Sequence, residues 1–201
     1  MERPKRSLNH QTLPSDKWEW LIEDHDPSLP PDFNAAMNRM LRRAQGELVV
    51  FLQDFISIPT TGLERFWEAY QREPAVFFTA PVGKTVDNIA VSWDWRRHHE
   101  GVDNLNFMEW EIDWASAPLS ALKDIGGFDE ELDKFWGFDN VNIGLRAAEK
   151  GYIIKNIPGN PAVAWDHNAY TKHPYQPLRN PEFHNQRLQD IQRGEVVVKY
   201  L

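Results

Sequence analysis

Residues 38–54, NRMLRRAQGELVVFLQD, decide the fold. The first half completes a helical pattern that begins at residue 30, PPDFNAAMNRMLRRAQG. There Phe33, Ala36, Met37, Met40, Leu41 and Ala44 recur on one face. Asp32 can cap its start, and Gly46 stops it. The second half, ELVVFLQD (47–54), is a near-continuous apolar run that passes into polar residues, the pattern of a strand covered on both faces.

The same alternation continues outward. KWEWLIED (17–24) reads as a short strand ending in acids. TGLERFWEAYQRE (61–73) opens with the capping-box pair Thr61 and Glu64 and is closed by Pro74, and AVFFTAPV (75–82) is a strand. The stretch from Gly83 to Trp110 is irregular and rich in Trp, His, Asp and Asn. APLSALKDIGGFDEEL (117–132) holds a short helix, then a Gly126-Gly127 turn whose residues are expected at positive φ. DNVNIGLRAAEKG (139–151) is a helix, YIIKNIP (152–158) and AVAWDH (162–167) are strands, and NPEFHNQRLQDIQRG (180–194) is a last helix leading into GEVVVKYL. Such alternation predicts an α/β chain, one Rossmann-like domain over 1–201 with a mainly parallel central sheet flanked by helices. In such folds chemistry collects beyond the carboxyl ends of the strands.

Bulk composition bounds the function. The chain has 201 residues, 41% hydrophobic, enough for one domain with a sizeable core. Its 9 Trp, 11 Phe and 5 Tyr serve mostly as core, with some available to line a cleft. Cysteine is absent, which leaves no disulfide, thiolate metal site or cysteine nucleophile. A net charge of −8 argues against nonspecific nucleic-acid binding. The one dense basic cluster, RRHH (96–99), reads as a solvated loop. MERPKRSLNHQT at the start lacks the apolar run of a signal peptide, and no stretch reaches membrane-spanning length, so cytoplasmic residence is the expectation.

Three strand ends carry similar chemistry. The first delivers Glu23, Asp24 and Asp26, the second Gln53 and Asp54, the last Asp166 and His167. Taken singly each is an ordinary loop acid. Together, carboxylates and one imidazole without thiols suit Mg²⁺ or Mn²⁺, and a cation there lets an acidic protein hold a diphosphate.

QTLPSDKWEWLIEDH, NRMLRRAQGELVVFLQD, IGGFDEELDKFWGFDNVNIGLRAAEKGY and AWDH occur in an order and spacing that resembles family 2 glycosyltransferases of the GT-A fold. The resemblance runs from about Arg3 to His167. It implies that Asp24 contacts the base and ribose of a nucleotide. Asn38 matches the Asn of an "RN" helix motif in which Met37 replaces the Arg. Gln53-Asp54-Phe55 falls on the "DXD" motif with only the central acid kept, which makes Asp54 a metal or ribose ligand. Asp139-Asn140 falls on the "ED" pair, and Asp139 becomes the candidate general base, with a pKa raised by burial beside Trp136 and Phe138. His167 matches the His that completes the metal and diphosphate site. The Trp-rich stretch from Trp93 to Trp114 lies where such enzymes bind acceptor, though core or lid roles serve these residues equally well.

That family begins with a central strand and a "YNRP"-like loop, whereas this sequence starts inside the following helix. Joining end to start gives GEVVVKYL–MERPKRSLNHQT, with Tyr200 on the loop tyrosine, a nucleotide-binding position, and Arg3-Pro4 on "RP". The expectation is a circular permutation in which 194–201 fills the first-strand slot. The function so implied is inverting transfer of a sugar from a UDP-linked donor to an unidentified acceptor, with one carboxylate base and a divalent metal. A decayed nucleotide-sugar or glycan-binding module is the alternative, motivated by Gln53, Phe55 and Asn140. A structural subunit with an aromatic interface is a third reading.

Overall fold

The computed structural model describes residues 2–23, 32–86, 89–99, 101, 104–135, 137–165 and 180–201. One sheet has the order β1 (Leu48–Leu52), β6 (Trp114–Pro118), β3 (Val76–Thr79), β7 (Ile153–Asn156). The other runs β2 (Ile56–Ser57), β8 (Ala162–Ala164), β4 (Val82–Val86), β5 (Ile89–Trp93). The helices are α1 (Glu2–Leu8), α2 (Phe33–Arg43), α3 (Gly62–Arg72), α4 (Leu119–Asp124), α5 (Asp139–Glu149) and α6 (Pro181–Gln192).

The α/β expectation holds, but the sheets are mixed rather than mainly parallel. Among the described residues only β3–β7 and β4–β8 pair in parallel, whereas β1–β6, β3–β6, β2–β8 and β4–β5 are antiparallel. The connection from β3 to β6 explains this. A parallel return needs a crossover, usually a helix. Here the described chain between them carries the β4–β5 hairpin and 3₁₀ turns at Trp95–His99 and Phe107–Glu109, so β6 comes back antiparallel between β1 and β3.

Alternation along the strands sorts side chains onto two buried faces. Phe51, Phe77, Ala115, Ala117 and Ile154 join Leu41, Phe128 and Ile143 on one side. Val76, Phe78 and Trp114 join Leu8, Phe66, Ala162 and Ala164 on the other. Trp110 and Trp114 are fully buried, which settles the core role for those two members of the Trp-rich stretch, while Trp93 remains 46% exposed.

Both local caps expected from the sequence are replaced by distant groups. Asp32 makes no side-chain cap at α2. Asp133 does so instead, accepting from the Asn34 and Ala35 N–H groups at 2.7 and 3.0 Å. Thr61 makes no side-chain cap at α3. There Gln11 accepts the Leu63 N–H at 3.0 Å, and Glu64 accepts from the Thr12 hydroxyl at 2.6 Å.

Two expected strands are not formed. Among the described residues, 18–23 carry no regular structure and 195–201 enter no ladder. β1 lies at the margin of its sheet with β6 as its neighbour, so the terminal segment does not fill a slot beside it. It is seated elsewhere. Val198 packs on Leu145 and Ile191, and the Tyr200 N–H donates to the Gly126 carbonyl at 2.8 Å. Gly126 and Gly127 have the expected positive φ, 83° and 77°. At Gly126 the tail also forbids any side chain, because a Cβ would lie 1.9 Å from the Val198 carbonyl oxygen. Sheet pairing rewards β-branched residues mainly by packing, and that packing is available here without a ladder.

Candidate active site

The carboxyl ends of β1, β3 and β7 and the start of β6 meet at one edge: Leu52 pairs with Trp114, and Thr79 pairs with both Ala115 and Asn156. Past this edge lies a cleft of about 260 Å³ lined by Val82, Lys84, Asp94, Trp95, Arg96, Glu111, Asp113 and Ala164. The strand-end rule thus leads to a concave polar site, but most of its residues come from the irregular middle of the chain.

Arg96 forms the floor. It is 1% exposed, so RRHH is not a solvated loop at this position. Its Nε and Nη2 donate to Asp94 Oδ2 at 3.0 and 2.6 Å, and its Nη1 and Nη2 to the two oxygens of Asp113 at 2.7 and 3.0 Å. Nη1 also reaches the Thr79 hydroxyl at 3.0 Å. Every donor of the guanidinium is thereby engaged and balances two carboxylates. The same carboxylates hold backbone: Asp94 accepts the Val82 N–H at 3.0 Å, and Asp113 accepts the Trp114 N–H at 2.9 Å. Arg97 stands outside, over the Trp93 ring at 5.2 Å.

Glu111 is placed by two elements. Its carbonyl accepts from the Thr79 hydroxyl at 3.2 Å, which fixes the backbone, and Asn140 Nδ2 donates to its Oε2 at 3.1 Å. The 3₁₀ turn at Phe107–Glu109 lies directly on α5, where a Cβ at Gly144 would sit 2.1 Å from the Phe107 carbonyl oxygen. Burial pushes the Glu111 carboxyl up to about 7. Asp113 and Asp94 add to the rise, while Arg96 and Lys84 oppose it.

Asp139 opens α5 beside this cleft but is not among its lining residues. Its Oδ1 accepts from Asn34 Nδ2 at 2.7 Å, and the same amide donates to Asp133 at 2.9 Å. Burial pushes the Asp139 carboxyl up to about 6, partly offset by the Asn34 hydrogen bond. The preceding Phe138 takes left-handed backbone geometry at φ 70°, an uncommon state for a bulky residue. It stacks on the buried His184 of α6 at 4.6 Å.

The remaining expected site residues are dispersed. Asn38 is fully buried, exchanges hydrogen bonds with the backbone of Phe128 at 2.8 and 2.9 Å, and donates to Glu130 at 2.9 Å. Its amide therefore holds the turn after Gly127. Asp54 is exposed in the turn between β1 and β2, where the neighbouring Gln53 N–H donates to the Asp113 carbonyl at 3.3 Å. Tyr200 is half-buried near Asp129, Glu130, Glu131 and Arg187, and burial raises its pKa. Asp24, His167 and Trp136 lie outside the described residues. Among the described residues no group of three or more His, Asp or Glu is arranged to hold a metal ion. No described helix is long and apolar enough to cross a membrane.

Asp94, Arg96, Glu111 and Asp113 were legible only as charges scattered through a Trp-rich stretch. With Arg97, Glu100, Asp103 and Glu109 in the same stretch, nothing local singled out these four.

No protein-family model and no curated protein sequence matches the chain. Solved structures do. S. aureus TarS 1–349 in complex with UDP superposes with a TM-score of 0.61 and 14% identity over 82% of this chain and 56% of that one. S. aureus TarS 1–349 gives 0.59 and 13%, over 86% and 58%. GalNAc-T7 with UDP, GalNAc and Mn²⁺ gives 0.52 and 11%, over 66% and 30%. The chain thus spans little more than half the length of the TarS 1–349 structures it matches. At these identities the likeness concerns the fold: the chain is an α/β protein that shares its architecture with the GT-A glycosyltransferases TarS and GalNAc-T7.

Proposed function

We propose that the protein is an inverting glycosyltransferase of family 2 type that moves a sugar from a UDP-linked donor to a hydroxyl-bearing acceptor. The observation that carries this reading is the cleft at the carboxyl edge of the sheet, lined by Glu111 with a proton affinity near neutrality, in a fold shared with a UDP-bound TarS. Trp95 lines the cleft and offers an aromatic face suited to a sugar ring.

The reaction is a single displacement. A carboxylate takes the acceptor's hydroxyl proton as that oxygen attacks the anomeric carbon, and the bond to the diphosphate breaks with its electron pair leaving on the nucleotide. The resemblance gives the base role to Asp139 and nucleotide contacts to Asp24, Asp54 and Tyr200, whereas Asn38, which it also assigns to the nucleotide, is fully buried and holds the Phe128 turn. A divalent ion, Mn²⁺ or Mg²⁺, would be held by Asp54 with His167. The described residues alone do not make such a site, since Asp94 and Asp113 are taken up by Arg96.

Thermal unfolding with UDP, GDP, CDP and ADP, each with Mn²⁺ and with chelator, tests the donor class. A ligand at about 100 times its dissociation constant stabilises by ~2.7 kcal/mol, several degrees for a chain of this size. A shift for UDP that weakens in Asp54→Ala is the expected result. A UDP shift without turnover on any UDP-sugar would instead favour the binding module, and no shift with any nucleotide would overturn both readings.

A further inference from the structure

We infer that Glu111, rather than Asp139, accepts the proton of the attacking hydroxyl, with Asn140 as the residue that positions it. The inference rests on the glycosyltransferase reading and deepens it.

Access comes first. Three carboxylates line the cleft, and two of them, Asp94 and Asp113, are tied to Arg96 through every donor that guanidinium faces toward them. Glu111 is the third. Among the described residues its carboxylate accepts one hydrogen bond, from Asn140, which leaves lone pairs for a ligand. Asp139 does not line the cleft, and its carboxylate is held by Asn34 beside Asp133.

Rigidity comes next. A base must be held within hydrogen-bond reach of its proton, and small displacements are expensive. The Glu111 backbone is clamped by the Thr79 hydroxyl, and its side chain by the first turn of α5. The groups around it are Asp113, Asp94, Arg96 and Lys84, with Asn140 from α5. Burial with those acids gives the carboxyl a proton affinity near neutrality, where a base is most effective. Trp95, on the wall of the same cleft, can seat the ring that carries the hydroxyl.

In the step so assigned, the hydroxyl O–H breaks and its proton passes to the free Glu111 oxygen. The oxygen's electron pair forms the bond to the anomeric carbon, and the carbon–oxygen bond to the diphosphate breaks toward the leaving nucleotide. Water can take the acceptor's place, so release of UDP from UDP-sugars reports the same step without knowledge of the acceptor.

The test measures UDP release from UDP-glucose, UDP-galactose, UDP-GlcNAc and UDP-GalNAc between pH 5 and 9, together with the thermal shift caused by UDP. Wild type should gain rate as pH rises through about 7. Glu111→Gln, which keeps shape, should lose about 10²–10⁴-fold and its pH dependence while keeping the UDP shift. Asp139→Asn, measured beside it, should keep the rise in rate through about pH 7 that Glu111→Gln loses. Asn140→Ala, a second route should Glu111→Gln fail to fold, should move the pH midpoint upward by removing a hydrogen bond to the charged form. A UDP shift with equal release from wild type and Glu111→Gln overturns the inference alone, as does loss confined to Asp139→Asn. Wild type that neither binds UDP nor releases it from any donor overturns the glycosyltransferase reading, and this assignment falls with it.

Discussion

Two pairs of acids flank the candidate site, and the protein handles their charge by different means. Around Arg96, Asp94 and Asp113 share one guanidinium and form charge-assisted hydrogen bonds down to 2.6 Å. Around Asn34, Asp133 and Asp139 share one side-chain amide, and among the described residues no cation pairs with Asp139. An amide dipole offsets far less of the desolvation of a carboxylate than a guanidinium does. Burial accordingly raises the proton affinity of both members of the second pair, Asp139 to about 6. Residue type alone therefore does not say whether a buried acid anchors structure or stays adjustable. Glu111 stands between the pairs, near the first by charge and joined to α5 by Asn140.

Removing the cation should break the comparison most visibly. Arg96→Met leaves Asp94 and Asp113 facing each other without compensation, and breaking a buried pair in this way costs about 3–5 kcal/mol. Denaturant unfolding at pH 7 measures it. Adding Asp94→Asn and Asp113→Asn to Arg96→Met should recover much of the loss, because the uncompensated charge goes with them. A loss below about 1 kcal/mol in Arg96→Met would mean that the guanidinium is not what balances these acids.

The second pair gives a pH signature. Asp139 has a folded value of about 6 against an ordinary 3.8, so the folded chain holds more protons than the unfolded one between those values. Stability from this group is complete below about 3.8 and is lost as pH rises through about 6. The full swing is about 2–3 kcal/mol. Asp139→Asn mimics the protonated form, so its stability relative to wild type should improve by roughly that amount between pH 4 and pH 8. Urea unfolding at both pH values reads the difference. A difference that does not change with pH would show that burial does not raise the proton affinity of Asp139.

Much of the fold can be read from the sequence, because helix periodicity and buried strands are local patterns. The helices at Phe33–Arg43, Gly62–Arg72, Asp139–Glu149 and Pro181–Gln192 lie within a few residues of their expected bounds. What local pattern cannot supply is pairing partners. The antiparallel return of β6 depends on the irregular stretch before it, and near the chain end Val198, with Val196 beside it, packs on Leu145 and Ile191 without joining a sheet among the described residues. The site divides along the same line. The expected rise at Asp139 follows from aromatic neighbours in sequence, whereas the Arg96 floor joins residues 79, 94 and 113, brought together only by the sheet edge. Asn38 shows the converse: a motif position whose amide is used to hold the Gly127–Phe128 turn.

The smallest of these effects separates local from tertiary capping at α2, the helix that carries Asn34. Asp133 accepts two backbone N–H groups and the Asn34 amide from 99 residues away in sequence, while Asp32, in the cap position, pairs with Arg39 at 2.9 Å on a surface where both side chains are 43% exposed. Losing an N-cap acceptor costs about 1 kcal/mol, up to about 2 where donors are buried. An exposed ion pair is worth about 0–1 kcal/mol. Asp133→Ala should therefore lower the melting temperature by a few degrees and Asp32→Ala by little or nothing. Because Asn34 also donates to Asp139, Asp133→Ala should in addition lower the pH at which the stability of wild type and Asp139→Asn diverges, by removing a neighbouring negative charge. Equal or reversed melting shifts would return the cap to Asp32. An unmoved pH midpoint would show that the two acids share an amide without sensing each other's charge.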